Sequence, residues 1–435
     1  MYPDGSPGEG RSSRTAEENP KLLYGLTRSL WRMALVVGLA QFSMSFWGWE
    51  FSIFLEFDLA DTFGVFLQKW EIGFVFSVGT AATIIGYILS GTIADLIGRK
   101  NTMAAAFIPM VFGLVGLRFF PLWPLIVAEF ALIQFGWAFV IVVSSAIAAD
   151  EIALTTGRNS ARTFNVVLLP AFVVDGLSPI VASLLLSAGY LASDLHLIAG
   201  VGAALALVAT SAFIRESLAR DTIDKARAGP TITLTGLGGD FWKFTLGMVG
   251  YIIVFRAATA YLGNLIVGDW GGISPEMYGY AWSGYALTSA ALLSKAGQWA
   301  DNHLRGAMIA ALVGNSLLVL AFSVSSGLAA LWVLNISWAL PIALWVGAEK
   351  TLVVRGAKRE MKGRALGTYN FVLAVGSLIA YSLGSYLWEL WGSLRVVYLF
   401  SALSSMVMIA VLALALRSMS TRPLSDQTNT LGGTE

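Results

Sequence analysis

The chain has 435 residues, 56% of them hydrophobic and 13% charged, with a formal net charge of +1. A water-facing surface needs nearly twice that charged fraction, so most of this chain cannot face water, and a near-neutral balance gives no bulk field to draw nucleic acid or an acidic partner. With no cysteine and only two histidines, His196 and His303, disulfides, thiolate nucleophiles and cysteine-ligated zinc are excluded and a histidine-rich metal centre is not expected.

Residues 1–30 are polar, rich in Gly, Pro and Ser and of mixed charge, which predicts a disordered tail and not a cleaved signal peptide. Twelve apolar blocks follow, at 33–57, 71–94, 103–120, 123–148, 164–188, 195–214, 244–267, 277–297, 307–325, 329–347, 367–390 and 394–416. A bilayer-crossing helix needs about 20 apolar residues, and uninterrupted blocks of this length fit helices better than the short alternating strands of a barrel. The expected fold is an all-α membrane protein of twelve transmembrane helices in two pseudo-symmetric six-helix bundles. Block eight is rich in Gly, Ser and Tyr and ends on Lys295, so it is expected to pack inside its bundle. No GxxxxGK[ST] segment occurs, which leaves no recognisable P-loop for ATP hydrolysis.

Placing both termini on one side puts 24 of the 28 lysines and arginines on that side, leaving Lys69, Arg118 and Arg395 opposite and Arg256 inside span seven. The positive-inside rule makes that side the cytoplasm, so a multi-pass protein of the cell membrane with both termini cytoplasmic is expected. The longest connection, 215–243, separates a first half, 31–214, from a second, 244–416, and residues 417–435 form a second cytoplasmic tail. The halves repeat: GTIADLIGR at 91–99 recurs as GQWADNHLR at 297–305, and TFNVVL at 163–168 as TYNFVL at 368–373. Two matches at nearly one offset predict parallel halves related by an axis along the membrane normal.

The segment from Gly91 to Lys100, with Asp95, Gly98 and Arg99 at their spacing, resembles the hallmark cytoplasmic loop of the major facilitator superfamily. Gly98 suits the tight turn and Asp95 could sit against the N-terminal end of a helix from the other half; the resemblance implies that this helix is span eleven and that the contact holds an outward-facing state. The second copy keeps Asp301 and Arg305 but has Leu304 where the turn glycine should be, predicting a weaker second gate. Glu151 and Arg158 have the spacing of sugar-porter-like members, and Arg215-Glu216-Ser217 with Arg220 loosely resembles another signature of that group. Leu154 replaces an expected proline and span four lacks an arginine, departures from the sugar-porter pattern.

Ionisable residues within spans are functional candidates, because they are costly in hydrocarbon unless paired or wet. Four stand out: Glu50, Glu129, Asp175 and Arg256. Glu50 lies in Trp49-Glu50-Phe51, similar to an element in span one of metabolite:proton symporters, where the acid is linked to proton coupling. Asp175 and Arg256 fall at similar depth in opposite halves, predicting a charge pair across the seam, either a coupling element or a fixed structural tie. Glu129, near the outer end of span four, is expected to reach interfacial water. Trp47, Trp49, Trp137, Trp332, Trp338 and Trp345 in spans one, four and ten could stack on a planar substrate, or serve as belt and packing residues. Asn165 and Asn370 occupy equivalent places in the repeat, and Pro170, Pro179 and Pro341 could bend spans five and ten.

The resulting expectation is a monomeric secondary transporter, not an enzyme, working by alternating access. Its partners are the bilayer, protons and a small organic acid or related polar metabolite; no cofactor, metal or nucleic acid is called for. A proton-linked exporter of amphipathic compounds and a sugar porter are the alternatives.

Overall fold

In a computed structural model, residues 28–156, 161–214, 216, 236–355 and 362–418 are described. The chain is all-α, and the predicted spans all form: Lys69–Ile97, Arg99–Phe119, Leu125–Thr156, Ala161–Ser187 and Ala192–Phe213 are spans two to six, and Pro275–Asn302, Leu304–Val324, Leu328–Arg355, Lys362–Trp391 and Leu394–Ser418 are spans eight to twelve. Among the described residues, ten helices are long and apolar enough to cross a membrane by length and composition. The two spans missing from that set are one and eight, and span eight has the composition that predicted an interior helix.

Spans one and seven are interrupted, which their apolar blocks do not show. Span one runs as a helix from Arg28 to Ser45, turns, resumes at Phe51–Ile53 and widens into a π-helical turn at Phe54–Asp58 before ending at Leu59–Phe63. Span seven runs from Gly239 to Thr259, breaks, resumes at Leu262–Asn264 and widens at Leu265–Asp269. The two π turns lie 211 residues apart, so the repeat extends to this irregular element. π turns concentrate at functional sites, where the widened ladder redirects side chains.

Each half forms its own bundle: spans two, three and six pack with span four or its neighbours in the first, and spans seven, nine, ten and twelve do so in the second. The halves meet along two long helix pairs, span five against span eight and span two against span eleven. Small residues permit these approaches: Gly176 faces Leu287 across the first pair, and Gly73 faces Ser385 across the second.

The turn between spans two and three explains its own sequence. Gly98 has φ +90°, a conformation that favours glycine, and a Cβ there would collide with the Glu216 carboxylate. That carboxylate accepts hydrogen bonds from the backbone N–H groups of Arg99 at 3.0 Å and Lys100 at 3.2 Å, covering donors that the start of span three leaves open. The Arg99 guanidinium donates to the Ala146 carbonyl of span four at 3.3 Å. In the second half the corresponding turn is made by His303 at φ −133°. Leu304 is instead the first residue of span nine and is buried, so this turn does not demand a glycine. Gly91 lies inside the span-two helix. Arg158, and the side chains of Asp95, Glu151 and Asn165, lie outside the described residues, as do most of the predicted tails and linker.

Candidate functional site

A cavity of about 520 Å³ lies between the halves. Spans two, four, seven, ten and eleven line it: Phe76, Thr80 and Tyr87 come from span two, Phe130, Gln134 and Trp137 from span four, and Phe255 and Arg256 from span seven. Trp345 and Glu349 come from span ten, and Asn370, Ser377 and Tyr381 from span eleven. A few converging polar groups among aromatic walls are what a small-molecule site requires.

Arg256 sits one turn before the break in span seven, where the partial negative charge of a helix C-terminus favours a cation. Its side chain is exposed within the protein's interior space. One guanidinium nitrogen donates to the Ser377 hydroxyl at 3.0 Å and to the Tyr381 hydroxyl at 3.3 Å. Both partners are neutral, so the charge itself is left for something else.

The predicted Asp175–Arg256 pair is not formed. Asp175 Oδ1 instead accepts from the Ser45 hydroxyl, in a very short contact, and from the Gln41 amide at 3.3 Å. Both partners belong to the end of the first helix of span one. Counting back 211 residues from Arg256 gives Ser45, so the contacts are pseudo-equivalent: each half ties the end of its interrupted helix to its fifth span. Depth along the chain places Asp175 and Arg256 level, but each is turned toward a partner in its own half.

Glu50 occupies the turn between the two helical parts of span one. It is fully buried, and no N–H or hydroxyl group donates to either carboxylate oxygen; the carboxyl of Asp58 on the π turn lies within hydrogen-bonding reach of it. Glu129 faces away from the cavity, with Gly113 and Gly116 of span three giving it room. It is not among the residues that line the cavity.

Of the tryptophans, Trp137 and Trp345 line the cavity. Trp49 is buried at the seam, edge-on to Tyr278 with ring centres 5.9 Å apart. Trp338 packs among Phe255, Phe322 and Tyr285 and donates to Asn315 Oδ1 at 2.6 Å, so it is a packing residue. Trp47 donates to the Ser43 carbonyl at 2.7 Å and packs against the buried His196 ring.

Sequence reading missed seven polar lining residues: Thr80, Thr83, Tyr87, Gln134, Glu349, Ser377 and Tyr381. Glu349 accepts from the Tyr369 hydroxyl at 2.6 Å. It lies two residues beyond the predicted end of span ten, but the helix continues to Arg355. The neighbouring Lys350 made this region look like a loop.

Across the seam, polar contacts gather toward the face opposite Arg99. The Asn264 amide donates to the Ser52 carbonyl at 2.8 Å and to Glu56 at 2.7 Å, joining the two interrupted spans. The Trp70 amide donates to Glu389 at 3.4 Å, and the hydroxyls of Ser77 and Ser382 lie 2.8 Å apart. Lys69 forms an ion pair with Glu56 and lies over the Trp388 ring, 4.4 Å from its centre. Glu349 and Asn370 line the cavity from the Arg99-side thirds of spans ten and eleven.

No family model and no curated sequence matches the chain. Its fold is nonetheless similar to solved transporters. The human organic anion transporter MFSD10 (TETRAN) superposes with TM-score 0.66 at 16% identity, over 88% of this chain and 99% of its own. Nucleoside transporter NupG does so with TM-score 0.66 at 14% identity, over 90% and 100%. A POT family transporter in complex with a thioalcohol-conjugated peptide gives TM-score 0.68 at 13% identity, over 91% and 97%. The chain thus has a major-facilitator-like fold. The likeness spans several branches and does not single out the sugar-porter-like one.

Proposed function

We propose that this chain is a secondary active transporter that carries a small organic acid, or a related polar metabolite, through the cavity at Arg256 by alternating access. The observation that carries the reading is Arg256 itself: an arginine within a membrane-spanning segment, open to a cavity, whose recorded hydrogen-bond partners are two neutral hydroxyls. An unpaired charge there is costly, and a guanidinium suits a carboxylate, which it can hold with two parallel hydrogen bonds.

The seam contacts on the face opposite Arg99 support a conformation closed on that side. With the orientation given by the positive-inside rule, this is the inward-facing member of the cycle, with both termini in the cytoplasm. The gate loop, with Arg99, Lys100 and Glu216 locked together, would act as a rigid unit when the halves rock.

Protons are the proposed coupling ion, and Glu50 is the leading carrier because its buried carboxyl and that of Asp58 beside it are most stable when a proton is shared between them. Asp175, with two donors, is the second candidate. The protein works as a monomer in this reading. Transport into proteoliposomes tests it: uptake of a carboxylate should rise with an inwardly directed proton gradient, and uptake indifferent to that gradient would refute proton symport.

The aromatic walls, Phe76, Phe130, Trp137, Phe255 and Trp345, favour one second reading, a proton-linked exporter of amphipathic compounds. Expression would then lower cellular accumulation of the compound instead of raising it.

A further inference from the structure

Arg256 is not the only charge on the cavity wall. Glu349 shares it, held by the Tyr369 hydroxyl at 2.6 Å. The two are close enough for each to feel the other's charge, yet no ion pair joins them, and none joins Glu349 to the adjacent Lys350. A cation and an anion on one enclosed surface would ordinarily collapse into a pair if nothing else served them, because the attraction in a low-dielectric site is strong. Here separate hydroxyl partners hold them apart: Ser377 and Tyr381 on span eleven hold Arg256, and Tyr369 on the same span holds Glu349. Span eleven thus presents three hydroxyls that keep two opposite charges spread along one wall, facing the aromatic surface of Phe76, Phe130 and Trp137.

We infer that the cargo is amphoteric: a small organic molecule whose carboxylate meets Arg256, whose ammonium meets Glu349, and whose apolar body lies against the aromatic wall. This rests on reading the cavity as the cargo site, and it narrows that reading from organic acids in general to amino-acid-like zwitterions. Matching both charges with one ligand neutralises the wall without bringing the two spans together. An amine-free acid would leave Glu349 unmatched on binding, and the unmatched charge would weaken it.

The test is binding of matched pairs to the purified full-length protein, read by thermal shift and titration calorimetry. Phenylalanine is set against 3-phenylpropionate, tryptophan against 3-(indol-3-yl)propionate, and 5-aminopentanoate against pentanoate, so that both adjacent and separated charges are sampled. In the unsubstituted protein the best-bound amine-bearing member should bind at least about tenfold more tightly than its amine-free partner, the scale of one charge-assisted hydrogen bond. Glu349→Gln should erase that ratio, weakening the amine-bearing member and relieving the acid of the unmatched charge, and Arg256→Gln should weaken binding of both members by about tenfold to a hundredfold. The ratio in the unsubstituted protein needs no variant, so it decides the matter even if a substitution prevents folding. Amine-free acids that bind as tightly as their partners would overturn the amphoteric cargo while leaving the Arg256 site standing. If no member of any pair binds, the cargo-site reading fails and the proposal with it.

Discussion

The hydroxyls of Ser77 in span two and Ser382 in span eleven lie 2.8 Å apart across the seam between the halves. They stand nearer the Lys69 end of span two than its Arg99 end, on the closed side of the cavity. If the halves rock during transport, this contact must break once per cycle. The chain has no cysteine, so a Ser77→Cys/Ser382→Cys protein carries only the introduced pair of thiols. Oxidation should cross-link them and stop uptake, and reduction should restore it. A cross-linked protein that transports at full rate would show that this contact takes no part in the cycle.

Arg256→Gln removes the guanidinium but keeps a polar side chain able to bond to Ser377 or Tyr381. The melting temperature should stay close to that of the unsubstituted protein, while affinity for carboxylates falls by about 1.5–3 kcal/mol, the contribution of a hydrogen bond to a charged group. Calorimetry checks both parts. Unchanged affinity would leave Arg256 as a structural residue tying span seven to span eleven.

Glu50→Gln should leave the fold intact or firmer, because an amide can donate to the adjacent Asp58 carboxylate and cannot ionise. Gradient-driven accumulation should be lost while exchange of internal for external cargo persists, since exchange does not require the carrier to shed a proton. Retained accumulation under a proton gradient would move the coupling role to Asp175 or elsewhere.

Gly98→Ala tests the gate loop. The backbone there is at φ +90° and the new methyl group would meet Glu216. A loss of stability of about 1–3 kcal/mol is expected from the strained backbone, read as a lower melting temperature. Glu216→Gln should cost less, about 0.5–2 kcal/mol as for a lost helix cap, because the amide oxygen still accepts one bond. A harmless Gly98→Ala would mean that the turn relaxes without consequence.

The span pattern was readable because a bilayer imposes a length on each apolar block, and even the weaker eighth span was marked by its composition. What the sequence could not show is rotation about each helix axis. In a helix that is apolar all round there is no stripe to say which side faces protein, so Asp175 and Arg256 could be placed at one depth but not aimed. The same ambiguity turned Glu129 toward span three and Trp338 into packing, while Gln134 and Tyr87, uncharged and set within apolar runs, went unnoticed. The π turns at Phe54–Asp58 and Leu265–Asp269 arise from an extra residue in a helical turn, which composition does not register. Glu349 was hidden for a different reason: paired with Lys350 after an apolar run, it read as the start of a loop.

The central claim is that the Arg256 cavity opens to one side of the membrane at a time, and a single thiol can test it. Asn370→Cys places a thiol on the cavity wall toward the Arg99 side in an otherwise cysteine-free chain. A membrane-impermeant maleimide should label it from either side of a proteoliposome during turnover. In a second protein, zero-length cross-links formed between Lys and Glu introduced at positions 77 and 382 should hold the seam shut without using thiols. Labelling should then come from the Arg99 side alone. Labelling from both sides with the seam held shut, or from neither side in the free protein, would contradict alternating access through this cavity.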